Sequence, residues 1–445
     1  MEEQIETGHQ TTPHEAAPSG ESLADKEAAY EKFVWDNLKR NYVANYLHGM
    51  LGMTGFRLVN APTFLPAYLH AISGSNAIVG LGLALQQAGG VISPIVGANQ
   101  IEHRKQVMGA AMWMGSLGRI QLIGMAAAGW FLRGHALVVA LLLFIFLFGL
   151  FMGAQRVVFG ILMAKVIPIS RRGRLQAWRN ATGGAIAAVL AYFAGRWFIE
   201  PNLFGNGYGT TFIFAFVLTS LGLTALGMML REPEPPTTRE RTRLMDRLGD
   251  FPRLIAADRG YMFFLIVQML ATASRLAVPF YIIYAGQTIA LSGGNLGLLS
   301  LAYLGADTLS NILWGYLGDK TGFRLTLLLS LITWIAATVL LMNLHAIAWT
   351  FLAFFGLGAA QSGYMMSAQT MILEFGDRDD MPMRIAFSAT AEGVTASLGP
   401  FIGGLMATAF GYLTVFGVSI GFLVAALALL VLFVQEPRTA RLARF

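Results

Sequence analysis

Gly315-Tyr316-Leu317-Gly318-Asp319-Lys320-Thr321-Gly322-Phe323-Arg324 is a short polar interruption between two long apolar runs. Its glycines permit close turns, Asp319 is placed to cap or pair at a helix end, and Lys320 and Arg324 supply counter-charge there. A poorer copy, Gly97 to Lys105, sits between two earlier apolar runs, with Ile101 where Asp319 stands. Working back from each loop, Arg57 lies 40 residues before Gly97 and Arg275 lies 40 residues before Gly315. The halves therefore align at an offset of 218 without a gap across that stretch. Pro62 and Pro279 follow their arginines closely, and Gln155 and Gln361 recur after similar Ala-rich approaches. Each half repeats the other.

The apolar runs set the class of the chain. Apolar residues make up 55% of it, charged residues 13%, and the mean hydropathy is +0.58, beyond what a soluble domain keeps in solution. At roughly 20 apolar residues per spanning helix, the chain divides into twelve segments. They run at about 42–69, 76–98, 107–132, 136–166, 175–198 and 210–230, then about 261–286, 294–316, 324–343, 347–373, 385–410 and 411–434. The expected fold is all-α and polytopic: twelve transmembrane helices in two pseudo-symmetric six-helix bundles, 42–230 and 261–434. A polar tail, 1–41, a linker, 231–260, and a second tail, 435–445, complete the chain.

The linker carries Arg239, Arg241, Arg243, Arg247 and Arg253 around Leu244, Leu248 and Phe251, a pattern for a short interfacial helix. Tyr30, Phe33, Trp35 and Leu38 among alternating charges mark another in the first tail. The remaining basic clusters fall on the linker side, which places both termini in the cytosol by the positive-inside rule. The net charge of +6 faces anionic headgroups and needs no nucleic acid. No cleavable signal peptide is expected. The chain has no cysteine, which excludes disulfide and thiol chemistry. Metal-ligand spacing and a phosphate-cradling loop are absent from the sequence, so no cofactor, enzymatic activity or ATP-driven pumping is expected.

The loop from Gly315 to Arg324 resembles the signature of the major facilitator superfamily, and the resemblance extends over residues from about 40 to 435. The signature falls between the eighth and ninth helices and its copy between the second and third, as in that family. The segment from Arg171 to Gly184 is similar to its bacterial members. The resemblance implies two bundles rocking about a central site lined by helices 1, 4, 7 and 10. It gives Gly315, Gly318, Asp319, Lys320, Gly322 and Arg324 a gating role, and Ile101 weakens such a role in the copy.

Arg57 and Arg275 fall in helices 1 and 7. A guanidinium at mid-bilayer costs about 2.5–3.5 kcal/mol on insertion scales, so an intramembrane arginine is a functional candidate by default. Its planar fork suits a carboxylate or phosphate. Thr54 and Asn60 share the face of Arg57, and Gln268 and Thr272 continue that of Arg275. Gln155, Arg156 and Gln361 complete the expected wall, and Asp307 and Glu392 are candidates to bind a proton or neutralise an arginine. The alternative for both arginines is an ion pair or a carbonyl-capping role at a proline bend. Arg119 reads as structural.

The leading expectation is a monomeric secondary transporter in a bacterial inner membrane, moving a small organic anion between the paired arginines with proton coupling or exchange. The runner-up is a proton-coupled exporter of amphipathic drugs, and a third reading is a non-transporting sensor or scaffold.

Overall fold

The computed structural model describes residues 23–101, 105–235, 258–344, 346–375 and 381–436. The linker helix expected around Leu244 to Phe251 and the basic residues of the C-terminal tail lie outside these residues. Helix α1 (Leu23–Asp36) precedes the first half, which consists of α2 (Leu38–Asn60), α3 (Phe64–Ser73), α4 (Asn76–Ile101), α5 (Met108–Phe131), α6 (Gly134–Val166), α7 (Ile169–Ala194) and α8 (Gly207–Met229). The second half has α9 (Arg259–Ser274), α10 (Val278–Ala285), α11 (Gly293–Thr321), α12 (Phe323–Asn343), α13 (Ile347–Glu374), α14 (Met381–Phe410) and α15 (Tyr412–Phe433). No strand occurs among the described residues.

With α2 joined to α3 and α9 to α10, the described helices make twelve spans in an all-α polytopic fold. Eight of them are, by length and composition alone, long and apolar enough to cross a membrane. The first and seventh spans are broken. Ala61, held extended ahead of Pro62, ends α2 at φ −57° and ψ 137°, because a proline ring clashes with a helical residue before it and offers no N–H. The seventh span tightens into a 3₁₀ turn at Arg275–Ala277, and Pro279 then opens α10, where its missing N–H leaves no hydrogen bond unmade. Each break adjoins one of the paired arginines: Arg57 precedes the first and Arg275 begins the second.

Glycines hold the two halves together. A Cβ on Gly195, in the π turn that ends α7, would lie 2.6 Å from the Cα of Gly297 in α11, and one on Gly80 in α4 would lie 3.1 Å from the Cα of Gly404 in α14. Farther along, Gly184 faces Thr308 and Gly393 faces Val91. Within the halves, Gly149 meets the Gln86 backbone as Gly358 meets that of Tyr303. These pairs superpose α4 on α11 at an offset of 217 and α7 on α14 at an offset of 209. The sequence repeat is thus a pseudo-twofold of the fold, with α4 and α11 in register at 217, one residue off the gapless 218 read from the sequence, and small residues line these close approaches between the halves.

The seams do not run the full depth. On α11 the stripe that packs against α7 reaches Thr308, and its continuation, Ile312 and Tyr316, is 72% and 68% exposed. On α7 the stripe ends at Gly184 and continues through exposed Ala181, Ala177 and Arg174. On α14, Ala389 and Ala386 are exposed beyond Gly393. The halves close together at the face away from the linker and part toward the linker face, so that a central cleft opens there.

Candidate functional site

Arg57 and Asp307 meet where the α7–α11 seam opens. The guanidinium Nη1 donates to Asp307 Oδ2 at 2.6 Å and to Thr308 Oγ1 at 3.2 Å, and the two side chains are 20% and 17% exposed. This ion pair crosses from one half to the other. Gly184 makes room for it, since a Cβ there would stand 3.0 Å from Arg57 Nη1. Farther from the linker face, Thr63 and Ser300 share a hydrogen bond at 2.6 Å, and Glu200 accepts from the Gly294 amide at 2.6 Å, at the start of α11.

Arg275 differs from Arg57. It is half-buried, its side chain forms no hydrogen bond or ion pair with any described residue, and its guanidinium is not sealed from solvent. Tyr303 lies within electrostatic reach of Arg57, Arg275 and Asp307, and Tyr364 within reach of Arg275 and Glu392. The two arginines and two carboxylates are thus linked through these two tyrosines, with charge of both signs.

The other expected wall residues divide into two groups. Gln268 is buried, donating to Glu392 Oε2 at 3.2 Å and accepting from the Ser388 hydroxyl. Thr272 shares a 2.9 Å hydrogen bond with the Tyr364 hydroxyl, which also donates to the Gln268 carbonyl. These residues support Glu392 and the floor under Arg275. Thr54 instead faces away, tying α2 to the Gly183 carbonyl of α7 at 3.2 Å. Asn60 is exposed and accepts from Gln86 at 2.6 Å. Gln155 lies behind the expected wall, buried and accepting from Arg119 at 3.3 Å. Arg119 is 1% exposed, donates to the carbonyls of Thr219 and Gly115 at 2.8 and 2.7 Å, and sits over the Phe56 ring. Arg156 is exposed and Gln361 half-buried. Residues that sequence reasoning passed over are Thr308, Tyr303, Tyr364 and Ser388, each an ordinary polar residue within an apolar run.

At the linker face the segment from Gly315 to Arg324 is not the loop its glycines suggest: Gly315–Thr321 ends α11, Gly322 alone turns, Phe323 opens α12, and Arg324 reaches the end of α15. Gly315 is half-buried near Met366, and Gly318 lies under the Phe323 ring. Gly322 adopts φ +90°, and Arg324 donates to the Val431 and Leu430 carbonyls at 3.0 and 3.3 Å. Asp319 and Lys320 are exposed. Among the described residues no group of three or more His, Asp or Glu is placed to hold a metal ion.

The Major Facilitator Superfamily model matches residues 263–444, and the fold matches solved transporters over nearly their whole length. Residues 263–444 are thus similar to the major facilitator superfamily. The chain superposes on a D-xylose–proton symporter with a TM-score of 0.69 at 15% identity, covering 90% of this chain and 99% of that one. A nucleoside transporter, NupG, gives 0.65 at 12% identity over 88% and 98% of the two chains. At such identities the likeness is one of fold. Among curated relatives, multidrug resistance protein MdtG of Serratia proteamaculans (strain 568) is 28% identical over 195 residues, 42% of this chain and 47% of that protein. A multi-drug resistance efflux pump PmrA homolog of Lactococcus lactis subsp. lactis (strain IL1403) is 30% identical over 171 residues, 36% of this chain and 40% of that protein. The chain spans less than half the length of these two relatives. The eight helices among the described residues that are long and apolar enough to cross a membrane mark it as an integral, multi-pass membrane protein.

Proposed function

We propose that this chain is a secondary transporter of the major facilitator type that moves an amphipathic organic solute across the membrane by alternating access between its two halves. The observation that carries this reading is the Arg57–Asp307 ion pair. It bridges the halves where the seam gives way to the cleft, so the site lies at the boundary that alternating access must open and close. The original expectation of two arginines gripping one anion is weakened, because Arg57 already has a carboxylate partner. Charge of both signs beside tyrosines suits an amphipathic compound, and the names of the multidrug relatives point the same way.

Glu392 is the coupling candidate this reading favours. Asp307 is engaged by a guanidinium, whereas Glu392 has only an amide donor among its described partners. The excess of basic residues on the linker side supports assigning that face to the cytosol, and on this reading the cleft opens inward.

The test is transport by the purified chain in vesicles with an imposed pH gradient, using an uncharged and a cationic amphipathic dye. Gradient-driven movement, with its pH dependence lost in Glu392→Gln, is the expected result. No movement of any solute in either direction would favour the sensor or scaffold reading.

The free guanidinium of Arg275 supports a second reading, in which the solute is an organic anion held by one arginine.

A further inference from the structure

The sequence offset of 218 pairs Arg57 with Arg275, and the pseudo-twofold of α4 and α11 compares what stands beside each. It maps Gln86 to Tyr303, Gly80 to Gly297 and Val91 to Thr308. The residue of α4 equivalent to Asp307 is therefore Gly90. Arg57, in the first span, is met by a carboxylate from the eighth span. Arg275, its counterpart in the seventh, is matched in the second span by a residue with no side chain.

Gly90 is half-buried, and a Cβ built on it meets nothing nearer than the Gly149 carbonyl at 3.8 Å. Its absent side chain is thus not required by close packing, unlike that of its neighbour Gly89, where a Cβ would fall 2.6 Å from the Leu150 amide. The Arg275 side chain in turn has no hydrogen bond or ion pair among the described residues, and its nitrogens are open to solvent.

We propose that Arg275 and the face of α4 at Gly90 form a subsite for one acidic group of the solute, a carboxylate, phosphate or sulfonate. That group takes beside Arg275 the part that Asp307 takes beside Arg57. The inference rests on the transporter reading and names its substrate class: an amphipathic compound with a single acidic head. Arg275 supplies a planar fork for bidentate donation, and half-buried Tyr303 and buried Tyr364 stand within its electrostatic reach. Because Asp307 masks Arg57, a solute bearing two acids would have to displace an internal carboxylate to use both arginines.

The experiment measures the affinity of the detergent-purified chain for 2-naphthoate, 2-naphthyl phosphate and uncharged 2-naphthamide. It compares the natural chain with Gly90→Ala, Gly90→Asn, Gly90→Asp, Arg275→Gln and Arg275→Lys. Expected is binding of at least one acid in preference to the amide, retained in Gly90→Ala and Gly90→Asn. Gly90→Asp supplies an internal carboxylate and should weaken the acid about 10- to 100-fold, as should Arg275→Gln, by loss of a charge-assisted contact. Arg275→Lys should fall between. If Gly90→Asp does not fold, the two Arg275 variants decide alone.

The proposal is overturned if no acid binds preferentially to the natural chain, or if the folded Gly90→Asp or Arg275→Gln variants bind as it does. A chain that moves an uncharged dye but ignores the acids keeps the transport reading and loses this subsite. One that binds acids through Arg275 but moves nothing keeps the subsite and loses transport.

Discussion

Glu232 and Glu436 hold the same place in the two halves: each follows the last helix of its half and accepts from the backbone at the start of the third. Glu232 takes the amides of Val107 at 2.7 Å and Met108 at 2.8 Å, and Glu436 takes that of Arg324 at 3.1 Å. Both precede a proline, and they are 204 residues apart. A carboxylate at a helix N-terminus satisfies orphan N–H groups and complements the helix dipole. The loops of each half are thereby tied to the half's own last helix.

Removing these carboxylates should cost unequal amounts. Glu232 also pairs with Lys165 at 2.9 Å, with side-chain exposures of 5% and 14%. Glu232→Ala strands that ammonium as well as two amides, and should lose about 2–4 kcal/mol. Glu436→Ala should lose about 1–2 kcal/mol, the scale of a helix cap. Heat unfolding in detergent should show the larger drop for Glu232→Ala, and adding Lys165→Met to it should recover part of the loss. Equal drops for the two single variants would remove the argument from Lys165.

Two glycines with positive φ separate backbone strain from crowding. Gly411, at φ +80°, has nothing within 4 Å of a built Cβ, whereas at Gly322, φ +90°, a Cβ would lie 2.4 Å from the Glu436 carboxyl. Gly411→Ala should therefore cost only the left-handed conformation, about 1–2 kcal/mol. Gly322→Ala should cost more, because it also pushes Glu436 off the start of α12. Combining Gly322→Ala with Glu436→Ala should then be less than additive in unfolding temperature, and strict additivity would refute the crowding account.

The twelve spans were legible because a lipid-facing helix must be apolar for about 20 residues, a signal that needs no knowledge of neighbours. The repeat was legible for a similar reason, since Arg57 and Arg275 stand at one offset in an apolar background. Breaks in the first and seventh spans were foreshadowed by Pro62 and Pro279. The partner of Arg57 was not legible. Asp307 lies 250 residues away in the other half, and helical spacing shows which residues share a face but not which helix stands opposite. The same limit put Gln155 in the cleft wall, when it lies behind that wall holding Arg119.

The seams at the face away from the linker should be sensitive to a single methyl group. A Cβ on Gly195 would lie 2.3 Å from the Gly293 carbonyl, and one on Gly80 would lie 2.2 Å from that of Pro400. Either alanine forces backbones of opposite halves apart and should shift the protein toward opening at that face. Gly109→Ala, with nothing within 4 Å of its Cβ, is the control and should leave the equilibrium unchanged. Because the chain has no cysteine, a single Ser300→Cys reporter at the Thr63 contact gives the readout. Its thiol should react faster in Gly195→Ala and Gly80→Ala than in the parent. Unchanged rates in both would mean that these contacts pack the halves without setting their equilibrium.

Asp307→Asn tests the bridge itself. The substitution keeps the shape and removes the charge that holds Arg57 across the seam, leaving a partly buried guanidinium short of its counter-ion. Hydrogen bonds to charged groups contribute about 1.5–3 kcal/mol, and the partial exposure of this pair places the expected effect toward the lower end of that range. If the bridge favours the state open at the linker face, its loss should reduce that state's population severalfold. Ile312→Cys, on the exposed continuation of the α11 stripe, should then be labelled more slowly. The exchanged pair, Arg57→Asp with Asp307→Arg, should restore much of the rate, since the same attraction is rebuilt with the charges reversed. Slower labelling without recovery in the exchanged pair would trace the effect to local packing around Thr308 and Gly184. An unaltered rate in Asp307→Asn would show that the ion pair persists in, or is irrelevant to, both states.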